Sequence, residues 1–100
     1  MKNIVWTRID DRLVHGQVMT LWVQQTSATE VVIVDDAVAK DAFIQMIMKS
    51  SMPARINLKV FGLADAVDYL NGEDDGKRVL ILVKTPGTLV SLTDAGIPLE

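Results

Sequence analysis

Between Arg8 and Gln17 the chain reads Arg8-Ile9-Asp10-Asp11-Arg12-Leu13-Val14-His15-Gly16-Gln17, which gathers two arginines, two aspartates and the only histidine of the protein. An imidazole of ordinary pKa, about 6.5, is mostly neutral near pH 7 and can accept a phosphoryl group as a nucleophile. Arg12 supplies a planar, permanently charged fork that suits phosphate oxygens. Gly16 lets the backbone approach a ligand closely, and the first turn of a following helix would add free N–H groups and partial positive charge. The same residues have a plainer reading. A single His ahead of a helix also serves as a cap or packing residue, and Arg/Asp clusters in loops commonly pair with one another. On residue types alone both readings stand.

The remaining chemistry is narrower. With no cysteine and one histidine, neither a disulfide nor a thiolate or multi-histidine metal site is available, and no metal is expected. No Gly-x-x-x-x-Gly-Lys-Ser/Thr loop is present to hold a nucleotide, and no cofactor is expected. A net charge of -3 and basic residues scattered from Lys2 to Lys84 give no reason to expect nucleic-acid binding. The longest apolar runs, Val31–Val34 and Val79–Val83, are far short of the ~20 residues a membrane helix needs. Arg8 and Asp10 interrupt the N-terminus before a signal sequence could form, so the cytoplasm is the expected location.

Strand and helix patterns alternate along the 100 residues, which are read as a single domain, 1–100. Asn3–Ile9, Glu30–Asp35, Arg55–Phe61 and Arg78–Lys84 carry the β-branched runs or alternation of strands. Gly16–Gln25, Asp36–Ser51, Leu63–Leu70 and Thr88–Ala95 carry helical spacing. Asp36 is the expected N-cap of the second helix, with Asp35 on a cleft rim and Ala39, Phe43, Met46 and Ile47 along one side. Met46, Met48, Met52, Trp6 and Trp22 are read as core. This order implies an α/β fold, a mostly parallel sheet with helices on both faces, and ligand sites beyond the carboxyl ends of the strands. The loop holding His15 follows the first strand, and Lys84-Thr85-Pro86 follows the last. Thr85 can offer its hydroxyl to phosphate, or Pro86 can simply open the next helix. An Asp35-Asp36 magnesium pair of the receiver-domain kind is disfavoured, because Phe61-Gly62 stands where a receiver's acceptor aspartate belongs.

The loop closely resembles the active-site loop of the enzyme IIB component of the mannose/fructose/sorbose class of bacterial phosphotransferase systems. The likeness continues through Trp22, Val31-Val32-Ile33-Val34-Asp35-Asp36, Lys49-Ser50-Ser51-Met52-Pro53 and Lys84-Thr85-Pro86, and so covers nearly the whole chain. The resemblance implies a phosphocarrier and protein-histidine phosphotransferase. His15 would receive phosphate from a phosphohistidine on a IIA domain and deliver it to a sugar held by membrane IIC/IID components, at whose membrane face the domain would sit. Arg12 would steady the phosphoryl oxygens and Asp10 would orient Arg12 or the loop, with Arg8, Gly16, Gln17 and Thr85 in phosphoryl binding or loop support. Family domains run well beyond 100 residues, so the chain is expected to be the N-terminal part of one. A sheet cut short in this way could expose an edge able to pair with a second copy, so a homo-oligomer is one option and the oligomeric state stays open. A ligand sensor built on Arg12 and the helix end, with no use for a nucleophile, is the competing function.

Overall fold

The computed structural model describes residues 1–12, 16–53 and 55–98. Strand β1 (Asn3–Ile9) leads to helix α1 (Gly16–Thr26), then β2 (Glu30–Val34), the short α2 (Asp36–Ala39), α3 (Ala42–Ser50), β3 (Asn57–Phe61), α4 (Leu63–Leu70), β4 (Arg78–Val83) and α5 (Pro86–Asp94). The four strands form one parallel sheet in the order β1-β4-β2-β3. The expected α/β class therefore holds.

Burial explains the order. Strands β2 and β4 are the continuous apolar runs, and every residue of Val31–Val34 and Val79–Val83 is fully buried. Such strands need a sheet neighbour on both sides and a helix layer on both faces, and they occupy the centre. Val31, Ile33, Leu80 and Leu82 pack under α1, α2 and α3 against Met19, Trp22, Val23, Val38 and Met48. Val32, Val34, Val79, Ile81 and Val83 face the other way, against Ala66, Leu70, Leu92 and Ile97. The alternating strand β3, with Asn57 and Lys59 exposed, lies at one edge, and β1 lies at the other.

Three expectations change. The helix read over Asp36–Ser51 is two helices, because Asp41 caps a new one: its Oδ1 accepts from the Ile44 amide at 3.1 Å. The caps of the acid pair are exchanged as well. Asp35, not Asp36, caps α2, accepting from the Ala37 and Val38 amides at 3.0 Å. Asp36 reaches across the sheet end and accepts from the Leu63 amide at 2.8 Å, so it caps α4, whose own N-cap residue is Gly62. Finally, Met46 is not core. Gln45 turns inward and its Nε2 donates to the carbonyls of Val38 and Ala39, at 2.9 and 3.1 Å, which rotates Phe43, Met46 and Ile47 outward into exposure. Met48 and Trp22 are buried as expected, and Met52 and Trp6 are packed at the edge of the same core.

At the amino-terminal edge of the sheet, fully buried Glu30 accepts a hydrogen bond from the Tyr69 hydroxyl at 2.5 Å and pairs with Lys77 at 3.5 Å. Burial, then the hydrogen bond and charge of Glu30, push the Tyr69 phenol well above its ordinary range. Lys2 lies over the Tyr69 ring and bonds Asp75 at 3.2 Å.

Candidate functional site

The loop after β1 is anchored to the neighbouring strand. The Asp10 amide donates to the Val83 carbonyl at 3.0 Å, extending the β1–β4 ladder one residue past Ile9. The chain then turns on the Asp10 side chain. Its Oδ1 accepts from the Arg12 amide at 2.9 Å and lies 3.4 Å from Arg12 Nε. One carboxylate thus closes an Asx-type turn and holds the root of the guanidinium it has just positioned. The Asp10 side chain is 14% exposed and that of Arg12 is 68% exposed, so the ion pair has a sheltered acid and an open base. Leu13, Val14 and His15 lie outside the described residues, and α1 begins at Gly16 and Gln17 directly after them.

Arg8 stands apart from the Asp10–Arg12 pair. Its guanidinium carbon lies 4.7 Å from the centroid of the Trp6 ring and 5.1 Å from that of Trp22, and the two indoles meet edge to face at 6.3 Å. A cation over indole faces gains about 0.5–2 kcal/mol, depending on desolvation. A register shift between Ile4 and Trp6 makes the arrangement. Ile4 pairs with Val79 and Trp6 with Leu80, so Val5 is an extra residue in the ladder. Without it, Trp6 and Arg8 would fall on the face of Ile81, away from α1. With it, both look toward Trp22. No residue type in Asn3–Ile9 announces this shift, and sequence reasoning missed it.

Thr85 is the N-cap of α5, with Pro86 in the first helical turn. Its Oγ1 accepts from the Thr88 amide at 3.4 Å and lies 3.2 Å from the Thr88 hydroxyl. Of the two readings of Lys84-Thr85-Pro86, the helix start is the one the geometry displays. Thr85, Thr88 and Ser91 also line a cavity of about 340 Å³ with Asp35 and Asp36. It opens at the carboxyl ends of β2 and β4, one strand over from the Asp10 turn. Among the described residues no group of three or more His, Cys, Asp or Glu could hold a metal ion, and no helix is long and apolar enough to cross a membrane. The acid pair 35–36 is occupied by helix capping.

A parallel α/β sheet with its polar loops gathered beyond the strand ends defines a broad class of ligand-handling domains. Comparison narrows the class. The family described as PTS system sorbose subfamily IIB component matches residues 4–100, and the chain belongs to that family. It is 34% identical over 100 residues to the N-acetylgalactosamine-specific phosphotransferase enzyme IIB component 2 of Escherichia coli, covering 100% of this chain and 64% of that protein. It is also 34% identical over 98 residues to the sorbose-specific EIIB component of Lacticaseibacillus casei, covering 97% and 60%. Among solved structures, manxB from Thermoanaerobacter tengcongensis superposes with a TM-score of 0.90 at 36% identity, over 99% of this chain and 60% of that one. The N-acetylgalactosamine-specific IIB component 1 of Escherichia coli gives 0.92 at 32% identity, over 98% and 65%. The chain thus spans under two thirds of the length of these relatives.

Proposed function

We propose that this chain is a phosphocarrier that takes a phosphoryl group on His15 from a phosphohistidine of a IIA partner and passes it to a sugar during coupled transport. A ring nitrogen of His15 attacks phosphorus, the P–N bond to the donor imidazole breaks, and its electron pair returns to the donor ring. In the second step a sugar hydroxyl attacks phosphorus, loses its proton to solvent, and the pair of the breaking P–N bond returns to His15. Both transfers concentrate negative charge on three equatorial oxygens, and their catalysis is positioning plus electrostatics.

The observation that carries the reading is the Asp10 turn. Its carboxylate fixes both the backbone and the Nε of Arg12 three residues before His15 and four before the start of α1. The Nε bond leaves the outer nitrogens of an open guanidinium for phosphoryl oxygens, and the N–H groups of Gly16 and Gln17 add a second donor set. A relative from Escherichia coli, 33% identical over 91 residues, is a mannose-specific EIIAB component, which supports a IIA donor. Membrane IIC/IID components are the proposed second partners, with the domain peripheral to them on the cytoplasmic side. Arg8, stacked on its indoles, supports the end of β1 from which the loop departs.

Incubation with a phosphorylated IIA protein tests this. The expected product is an acid-labile, base-stable phosphate on the chain, absent from His15→Ala. A chain that binds sugar phosphate but never becomes labelled is instead a sensor.

A further inference from the structure

The carboxyl end of the sheet places a lysine beside the Asp10 turn. Arg8 and Leu82 pair across β1 and β4, and both face α1: Arg8 lies over the Trp6 and Trp22 rings, and Leu82 packs in the core with Met19 and Trp22. Val83 faces the opposite layer. Side chains alternate along a strand, so Asp10 and Lys84, the next positions, return to the α1 face. The ladder still holds there, since the Asp10 amide donates to the Val83 carbonyl at 3.0 Å. On the other side of β4, Val34 pairs with Val83, which sets Asp35 beside Lys84, and Asp35 caps α2 on that same face. Lys84 thus stands between Asp10 and Asp35, about 4.8 Å of strand spacing from each.

The other cations at this end are engaged. Arg12 Nε is paired with Asp10, Arg8 is stacked on its indoles, and Lys40 lines a cavity with Asp36 and Asp65. Lys84 is exposed and forms no ion pair among the described residues. The carboxylates on either side of it are turned to amides, Asp10 to that of Arg12 and Asp35 to those of Ala37 and Val38. Residues 10–12 hold two aspartates and one arginine, so the turn itself is net negative. A phosphoryl dianion arriving there meets repulsion that Arg12 alone does not offset. We propose that Lys84 is a second phosphoryl-binding cation, brought from the end of β4 to the group that Arg12 holds. Its flexible four-carbon stem lets a point charge reach the oxygens that the Arg12 fork leaves open. The role in transfer rests on the carrier reading; the anion site itself does not.

The test has two arms. In the first, the unphosphorylated full chain is titrated with inorganic phosphate at low salt and followed through its backbone amide signals. Lys84→Gln should bind phosphate about 5–10-fold more weakly, the scale of one charged contact at an exposed site, and Lys84→Arg should bind within a few-fold of wild type. In the second, transfer from a phosphorylated IIA protein should slow by a similar factor in Lys84→Gln and recover in Lys84→Arg. Equal melting temperatures would show that the variants fold. A wild-type chain whose amides ignore phosphate would overturn the proposal, as would a Lys84→Gln chain that binds phosphate as tightly as wild type. A lysine that merely neutralises Asp10 and Asp35 would show in Lys84→Gln as lost melting temperature with phosphate binding intact, and that result too would overturn it. The two readings fail separately. Phosphate bound through Lys84 on a chain that is never labelled would keep this assignment and end the carrier reading, while normal labelling of Lys84→Gln would do the reverse.

Discussion

Gly62 and Asp36 offer a double-substitution cycle whose outcome is set by one hydrogen bond. The Asp36 carboxylate is the side-chain cap of α4, through its 2.8 Å bond from the Leu63 amide. Removing it in Asp36→Ala should cost about 1 kcal/mol, the ordinary loss for an N-cap, and lower the melting temperature of a domain this size by about 4–8 °C. A Cβ added at Gly62 would sit 2.7 Å from the same Asp36 Oδ1. The carboxylate can swing away, but only by giving up Leu63, so Gly62→Ala loses the cap too. Against that, Gly62 has φ -69 and ψ 171, which alanine adopts without strain, and the stiffer unfolded chain returns about 0.4–1 kcal/mol. Gly62→Ala alone should therefore be destabilising by at most about 0.6 kcal/mol. In the double variant the cap can be lost only once. The two changes should show a favourable coupling of about 1 kcal/mol, well above the few tenths expected of independent sites. Urea unfolding of the four proteins, with equal slopes, measures it. Additive losses would refute the assignment of Asp36 as the cap of α4. Phosphate uptake should stay within a few-fold of wild type and independent of magnesium throughout, since the acid pair serves helices.

Arg12→Ala should slow phosphoryl transfer by at least ~10²-fold, the scale of losing one preorganised donor, with Arg12→Lys a partial rescue because a point charge lacks the fork; transfer within a few-fold of wild type would show that backbone amides suffice. Tyr69 is the only tyrosine, so phenolate absorbance reads it directly. Its ionisation should fall above the ordinary phenol range while the protein is folded. A pKa raised by folding means stability that is intact below about pH 10 and lost as pH rises past it, so the alkaline loss should be smaller in Tyr69→Phe, and a normal phenol titration of the folded chain would contradict the Glu30 contact.

Much of this architecture was legible because its elements announce themselves locally. The apolar runs of β2 and β4 can only be central strands, and Leu63–Leu70 is bounded by its own spacing and by Gly62 and Asn71-Gly72. The polar loop after β1 was equally visible, since Arg8, Asp10, Asp11, Arg12 and His15 all fall within one short stretch. What escaped depends on distant partners. Asp35 and Asp36 are equally good caps by type, and only the Leu63 amide, 27 residues on, separates their duties. The split at Lys40-Asp41 is set by the Asp41 cap and the inward turn of Gln45 by α2 carbonyls, so Met46, which reads as core from the sequence, faces solvent together with Phe43 and Ile47. The pairing of Glu30 with Tyr69 spans 39 residues. Arg8 was recognised as charge near the site, but its place between two indoles follows from an extra residue at Val5 that no composition signals.

The central claim is a phosphorus–nitrogen bond at His15, and nitrogen-15 NMR of the phosphorylated chain tests it most directly. With a single histidine in the sequence, imidazole resonances need no assignment by substitution. After transfer from a phosphorylated IIA protein, one ring nitrogen should show coupling to phosphorus. It should be Nδ1, which lies nearer the backbone and the free amides at the start of α1, and the Gly16 and Gln17 amide signals should shift with it. Coupling at Nε2 with those amides unmoved would contradict the role given to the helix end, and phosphate taken up with no coupling to either imidazole nitrogen would contradict the carrier itself.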